Sequence, residues 1–555
     1  MRVRAKVATA LLGLAVIAPG VANASTTQES TFQDDAYLLY DSSAGVSYTL
    51  AQLASLGVTR VRINVKWSYI APSPTSRTAP RNFNPVDPAS YPAANWAPYD
   101  RLVEYAAAYR MGVDFNITAP GPLWAMGRGA TPAKAADHWN PNAQAFREFV
   151  YALGARYSGT YTPPQTPTID SAGGLVLPLV NPLLPAPSSS TPTPPATPLP
   201  RVDYWSIWNE PNQPGWLTPQ WTRYGHTQVL NSPRLYRSYV DAAYQALAET
   251  GHGHDTILIG ELAPEGYTTP GAYIATTPMP FLRALYCVDN GYRRLTGNAA
   301  AAVGCPTGGS ARDFVAANPG LFYATGFAHH PYYFFHAPSY SSPDQDYVPL
   351  ANLNRLEGGL DRSFAAYGVR GKLPIYITEY GYQTNPPDPR EIVTPAEQAA
   401  YINEADYIAW QNSRVRSVSQ FLLYDSGPNR SYPQGSPYYW DTFNTGLLFH
   451  SGGQKPALAA YRTPIWIPSP RVGRGGRMLV WGQIRPGPHD RAQLALIQWQ
   501  SGRGAWRTIQ TVSFEQPEGY FTTHVSPPAS GYLRIAWQVS HSALYTSRYA
   551  PIRVG

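Results

Sequence analysis

The chain has 555 residues, 44% of them hydrophobic and 14% charged, against about 25% charged in an average soluble protein. That much apolar mass excludes wholesale disorder, and 56 prolines exclude a long helical bundle or coiled coil. The net charge of +7 includes Arg2, Arg4 and Lys6 near the N-terminus, and no Lys/Arg run remains beyond them, so a nucleic-acid footprint is unsupported. The surface is therefore neutral-polar and rich in rings, with 40 Tyr, 17 Phe and 15 Trp. Such a surface suits uncharged ligands with flat apolar faces, of which sugars are the obvious class.

Residues 1–24 combine a basic start, an apolar run and the small-residue site Ala22-Asn23-Ala24. This is the pattern of a secretory signal peptide cleaved near Ala24, and it predicts an extracellular mature protein. The apolar run is shorter than the roughly 20 residues a membrane span needs. Export permits a disulfide, and the chain has just two cysteines, Cys287 and Cys305. Bridging them would stabilise by roughly 3 kcal/mol in the chain-entropy model. No Cys/His spacing for zinc is present, so no metal or other cofactor is expected.

From residue 35 onward short apolar runs alternate with helical patterns. The expected strands are Tyr37–Tyr40, Val58–Val65, Val113–Thr118, Val202–Trp208, Ile257–Gly260, Gly326–His330, Ile375–Thr378 and Val418–Leu423. Helical spacing separates most of them, as in Tyr99–Arg110, Ala143–Tyr157, Leu235–Thr250, Leu353–Tyr367 and Ala396–Asn412. Eight such alternations predict an α/β fold, a (β/α)8 TIM barrel over residues 25–463. A typical barrel has about 250 residues, so roughly 180 fall in loops.

Residues 159–200 hold 12 prolines and a single charge, Asp170, and read as an extended insertion in the barrel. Beyond the proline-rich stretch Pro464–Pro470 the pattern changes to period two. Met478–Ile484, Leu494–Gln500, Trp506–Phe514, Tyr520–Val525 and Tyr532–Val539 predict a small β-sandwich, an accessory domain over residues 464–555. That domain holds no paired carboxylates, so a barrel truncated near Pro464 is expected to keep activity if it folds.

In a TIM barrel chemistry sits where strands end. The fourth strand runs into Trp208-Asn209-Glu210-Pro211 and the seventh into Thr378-Glu379-Tyr380-Gly381. A charged residue directly after an apolar strand is costly to bury without a purpose. Two carboxyls on the catalytic face are what hydrolysis of a glycosidic bond requires, one as proton donor and one as nucleophile or base. Trp124, Trp216, Trp221 and Trp440 fall in loops on the same face, where indole rings can stack on pyranose rings.

The W-N-E-P motif after strand four, with a lone Glu after strand seven, resembles the retaining glycoside hydrolases of clan A. The resemblance covers about residues 35–463. The stretch from Thr118 to Ala125 and the ending Gln454–Leu458 are similar to families 39 and 5 within the clan. The resemblance implies that Glu210 is the acid/base and Glu379 the nucleophile. It implies that Asn209 binds the sugar 2-hydroxyl, that Arg62 orients the nucleophile, and that Tyr332 donates to it, with Tyr333 a neighbouring rival. His330 is placed in the substrate site, because His329 and His330 point to opposite faces of their strand and one at most lines the cleft. The clan places a Trp at the end of strand eight, where this chain has Leu423-Tyr424-Asp425.

The expected function is a secreted, monomeric retaining hydrolase that cleaves O-glycosidic bonds of a poly- or oligosaccharide through a glycosyl-enzyme. Its partner is the carbohydrate substrate alone, without nucleic acid or membrane insertion. The alternatives are a catalytically inactive carbohydrate-binding barrel, or a transglycosylase that remodels cell-wall glycan.

Overall fold

The computed structural model describes residues 25, 27–164, 168–169, 175–176, 197–485, 492–514, 518–538 and 544–555. Residues 1–24, expected to be a signal peptide, and most of the proline-rich stretch 159–200 lie outside the described residues. Eight parallel strands close into a barrel in chain order: β1 (Glu29–Gln33), β2 (Arg60–Lys66), β3 (Gly112–Thr118), β4 (Tyr204–Ile207), β5 (Thr256–Leu262), β6 (Gly326–His329), β7 (Ile375–Tyr380) and β8 (Val415–Phe421). β8 returns to β1 with Phe32 opposite Gln420.

β2 shows why these residues form this wall. In R-V-R-I-N-V-K, Val61, Ile63 and Val65 belong to the main apolar core, packed with residues of the flanking helices. The alternate residues Arg60, Arg62 and Asn64 face the barrel axis. β3 repeats the pattern with Val113, Phe115 and Ile117 outward and Asp114 and Asn116 inward. The interior is therefore polar toward its upper end, while Leu258, Ala328 and Tyr376, with Tyr204 against them, fill the lower end. The helices that cover the outside include Ser43–Ser55, Ala93–Ala108, Ala143–Arg156, Ser232–Glu249, Leu353–Ala366 and Pro395–Gln411. The last begins with a capping box between Thr394 and Glu397 and with Pro395 at its first position.

The first strand differs from its expected place. Tyr37–Tyr40 is not a strand: residues Asp35–Leu39 form a short helix capped by Asp34. The strand is Glu29–Gln33, whose sequence E-S-T-F-Q carries one apolar side chain. Its partners supply what hydrophobicity does not. Arg60 pairs with Glu29 at 3.1 Å and Ser30 Oγ meets the Tyr461 hydroxyl at 2.8 Å. The other seven expected strands match within a few residues at each end.

Cys287 and Cys305 form the expected disulfide, with Cα atoms 5.8 Å apart. No helix among the described residues is long and apolar enough to cross a membrane.

Beyond residue 464 two sheets face each other. One joins Ile465–Trp466, Met478–Gln483 and Tyr520–Val525; the larger is centred on Gln493–Gln500 and Gly531–Gln538. Val480, Ile497, Leu533, Ile535 and Trp537 fill the space between them. This domain is joined to the barrel by more than a linker. Trp481, fully buried, packs on Tyr407 and Trp410 of the helix Pro395–Gln411 at ring separations of 5.8 and 6.0 Å. Arg485 lies 3.6 Å from the buried Asp406, and the Tyr520 hydroxyl reaches Gln28 at 3.3 Å. Truncation before Pro464 would bare this apolar surface and leave Asp406 without its cation. Removing one partner of a buried ion pair costs about 3–5 kcal/mol by itself. The truncated chain is therefore expected to melt at least about 10 °C lower than the full chain or to be recovered insoluble, which differential scanning calorimetry and soluble yield will measure.

Candidate active site

The upper end of the barrel opens into a cleft of about 420 Å³. Gln33, Asp35 and Asn64 line it from the β1–β2 side, and Phe421, Leu422 and Phe443 from the β8 side. Glu210 and Glu379 stand between them on the floor, with Asn209, Trp216 and Tyr332.

Backbone strain marks the strand ends that carry the chemistry. Trp208, Glu210, Glu261 and Leu422 all have positive φ, at 66°, 35°, 49° and 73°. For non-glycine residues this costs of order 1–3 kcal/mol each, which the surrounding bonds must overcome. Around Glu210 those bonds are visible. The Asn209 N–H donates to Thr118 Oγ1 at 3.0 Å. Asn212 donates to the carbonyls of Ala263 and Thr276 at 3.1 and 2.9 Å and accepts from the Ala263 N–H at 3.0 Å, which ties the W-N-E-P-N turn to the loop after β5.

Arg62, 1% exposed, is the hub. One guanidinium nitrogen donates to Glu379 Oε1 at 2.8 Å and also to the side-chain oxygen of Gln33. The other donates to Glu261 Oε2 at 2.8 Å and to Asn209 Oδ1 at 3.1 Å. The Tyr332 hydroxyl donates to Glu379 Oε2 at 3.2 Å. Tyr333 faces elsewhere and stacks on His336 at 5.0 Å.

His330 bridges two acids. Nδ1 lies 2.9 Å from Glu210 Oε1 and Nε2 lies 2.8 Å from Glu261 Oε2, with Glu379 Oε2 3.7 Å from Nδ1. Burial alone would push the imidazole down; Glu379, Glu210 and Glu261 outweigh it and lift His330 to about 10. Its neighbour His329 turns away to the Val348 carbonyl at 2.7 Å, and burial lowers it to about 4.

Glu261 is the site residue that the sequence reading missed. It is fully buried and accepts from Arg62, His330 and Thr378, each at 2.8 Å. Burial would raise it, but Arg62 and His330 prevail and hold it at about 2. A signal was present, since Ile257-Leu258-Ile259-Gly260-Glu261 is again an apolar strand that ends in an acid. The expected strand stopped at Gly260, whose φ of 105° lets the chain bend there. Beneath these groups burial lifts Asp114 to about 7, although Arg62 lies 4.0 Å away.

The tryptophans divide. Trp216 lines the cleft, and its carbonyl accepts from the Trp208 indole at 3.1 Å. Trp124, Trp221 and Trp440 are not among the lining residues. Trp124 donates to the Pro72 carbonyl at 3.0 Å and packs edge-on against Trp67. Trp221 starts a two-stranded hairpin with Thr227–Leu230, and Trp440 packs on Tyr439. At the end of β8 the apolar wall is made by Phe421 and Phe443, whose rings meet edge to face at 5.3 Å.

Glu210, His330 and Glu379 are spaced to hold a metal ion, with ligand atoms within 4.8 Å of one another. The chemistry of His330 disfavours it: a protonated imidazole directs an N–H at each flanking carboxylate and has no lone pair to offer.

No family model matches the chain. No curated protein matches it. Among solved structures it is similar to a GH5_18 protein from Bifidobacterium longum subsp. infantis, at 14% identity and a TM-score of 0.43 over 78% of this chain and 77% of that one. A GH5_18 protein from Streptomyces cattleya in complex with GlcNAc gives 14% identity and 0.43 over 81% and 85%. AbfB, a family 51 alpha-L-arabinofuranosidase from Bifidobacterium longum, gives 13% identity and 0.43 over 96% and 95%.

Proposed function

We propose that this protein is a secreted retaining O-glycoside hydrolase of the clan A type, with Glu379 as nucleophile and Glu210 as acid/base. The observation that carries the reading is the spacing of the two carboxyls: their facing oxygens lie within 4.8 Å across the cleft floor. Retaining enzymes hold the pair at about 5–5.5 Å, whereas inverting ones leave roughly 6.5–9.5 Å for a water. The surroundings fit the two roles. Arg62 and Tyr332 each bond one oxygen of Glu379, which fixes it as an oriented anion ready for in-line attack. Among the described residues Glu210 is held by one side-chain hydrogen bond, from His330, and is more open to the cleft.

The reaction then runs in two steps. Glu379 attacks the anomeric carbon while Glu210 gives its proton to the leaving oxygen, and a glycosyl ester forms. Water enters, Glu210 takes its proton, and the ester is released with the original anomeric configuration. Asn209, held by Arg62 at the cleft floor, is placed to bond the sugar hydroxyl beside the anomeric carbon. The N-terminal signal pattern supports export of the enzyme.

The test is product stereochemistry. Proton NMR of an aryl glycoside digested by the full chain is expected to show the retained anomer first, followed by mutarotation. Appearance of the inverted anomer first would refute the double displacement.

A further inference from the structure

The cleft has a sign. Four carboxyl groups line it, those of Asp35, Glu210, Glu265 and Glu379, of which Glu210 carries the catalytic proton, and the lining includes no Lys or Arg. The cations below the floor, Arg62 and His330, are already engaged by Glu261 and Glu379. Burial raises Asp35 above the ordinary carboxylate range and Lys66 opposes that in part, with its amino group over the Tyr69 ring at 5.3 Å and outside the lining.

Two of the lining groups have no task in the two-step reaction and stand side by side at the end of β1. Gln33 is 1% exposed. Its side-chain oxygen accepts from Arg62. That bond turns its amide nitrogen the other way, and this nitrogen makes no hydrogen bond among the described residues. Asp35 accepts from the Asn64 N–H on Oδ1 at 3.2 Å. The Asn64 side chain bonds this carboxyl as well, and the group still lines the cleft. Gln33 lines the cleft too, so its amide nitrogen keeps its donor for water or for a ligand there. The pair thus offers one donor and one charged acceptor to the cleft, and adjacent sugar hydroxyls can answer both.

We infer that Gln33 and Asp35 form a hydroxyl-reading wall for the sugar next to Glu379, and that the cleft takes uncharged sugars with adjacent free hydroxyls and rejects sugars that carry a carboxylate. The inference rests on the glycosidase reading above. A uronide would bring a further negative charge beside Asp35 and Glu265, and like charges facing one another cost several kcal/mol. A neutral sugar meets the same oxygens as acceptors, in charge-assisted hydrogen bonds.

The experiment uses the full chain and a panel of nitrophenyl glycosides of neutral hexoses and pentoses, each hexoside matched with its uronide and with deoxy analogues. The best neutral glycoside is expected to exceed its uronide at least about 100-fold in kcat/KM. Asp35→Ala should lower kcat/KM for that glycoside at least about 10-fold while leaving one deoxy analogue nearly unaffected, because that analogue lacks the hydroxyl Asp35 binds. The isosteric Asp35→Asn, a milder change to the fold, should shrink the preference over the uronide about 10-fold. Equal turnover of uronide and neutral glycoside would overturn the inference and leave the glycosidase reading standing. So would an equal loss on every deoxy analogue, which is the mark of a merely structural role. Failure of the wild type to cleave any member would sink both.

Discussion

Glu379→Ala should lose at least about 1,000-fold in kcat/KM and show no burst of released aryl alcohol, while Glu210→Ala should show a burst followed by slow turnover. The difference follows from which step each residue serves. With a dinitrophenyl glycoside the leaving group departs without a proton, so the glycosyl ester still forms on Glu379 when Glu210 is absent. It then accumulates, because no base activates the water. Without Glu379 no ester can form and no burst can appear. Stopped-flow burst amplitudes in both variants therefore test the roles as well as their necessity. Azide adds a second readout. It should rescue Glu379→Ala with an inverted glycosyl azide and Glu210→Ala with a retained one. A burst in Glu379→Ala and none in Glu210→Ala would reverse the assignment.

The second large effect is expected at Glu261, which touches neither substrate nor reacting atoms but holds Arg62 and His330, each of which contacts a catalytic carboxyl. Arg62 reaches Glu379 and His330 reaches Glu210, and Glu261 stands between them at 2.8 Å from each. Glu261→Gln removes the anion that balances two buried cations. Breaking such a buried arrangement costs about 3–5 kcal/mol, and kcat should fall further than KM rises as the two carboxyls lose their orientation.

The pH dependence of stability fixes the sign. Glu261 ionises in the fold near 2, below its ordinary 4.5. Its contribution is complete above about 4.5 and is lost as pH falls toward 2. His330 titrates near 10, above its ordinary 6.5. Its contribution is complete below about 6.5 and is lost as pH rises toward 10. The gap in melting temperature between wild type and Glu261→Gln should therefore be widest from about pH 4.5 to 6.5 and narrow on both sides. Thermal melts across that range will measure it, and a gap independent of pH would show that Glu261 is only a filler of space.

The barrel and its catalytic pair were legible in the sequence because both leave local marks. A strand whose outer face packs on helices must alternate or run apolar, and an acid directly after such a run stands out, as Glu210 and Glu379 do. β1 left no such mark. Glu29–Gln33 is polar because its side chains bond Arg60, Tyr461 and Arg62, groups that lie far away in sequence, so only closure of the barrel makes it a strand. The cleft walls were hidden for the same reason. Gln33 and Asp35 look like a loop before a strand, and Phe443 lies 22 residues past the end of β8. Glu261 carried the same mark as the other two acids, but a glycine at the bend concealed it. Residue order was enough to say which carboxyls could react. Which cations hold them, which polar groups remain unpaired toward the cleft, and which tryptophans face it were decided by packing between segments hundreds of residues apart.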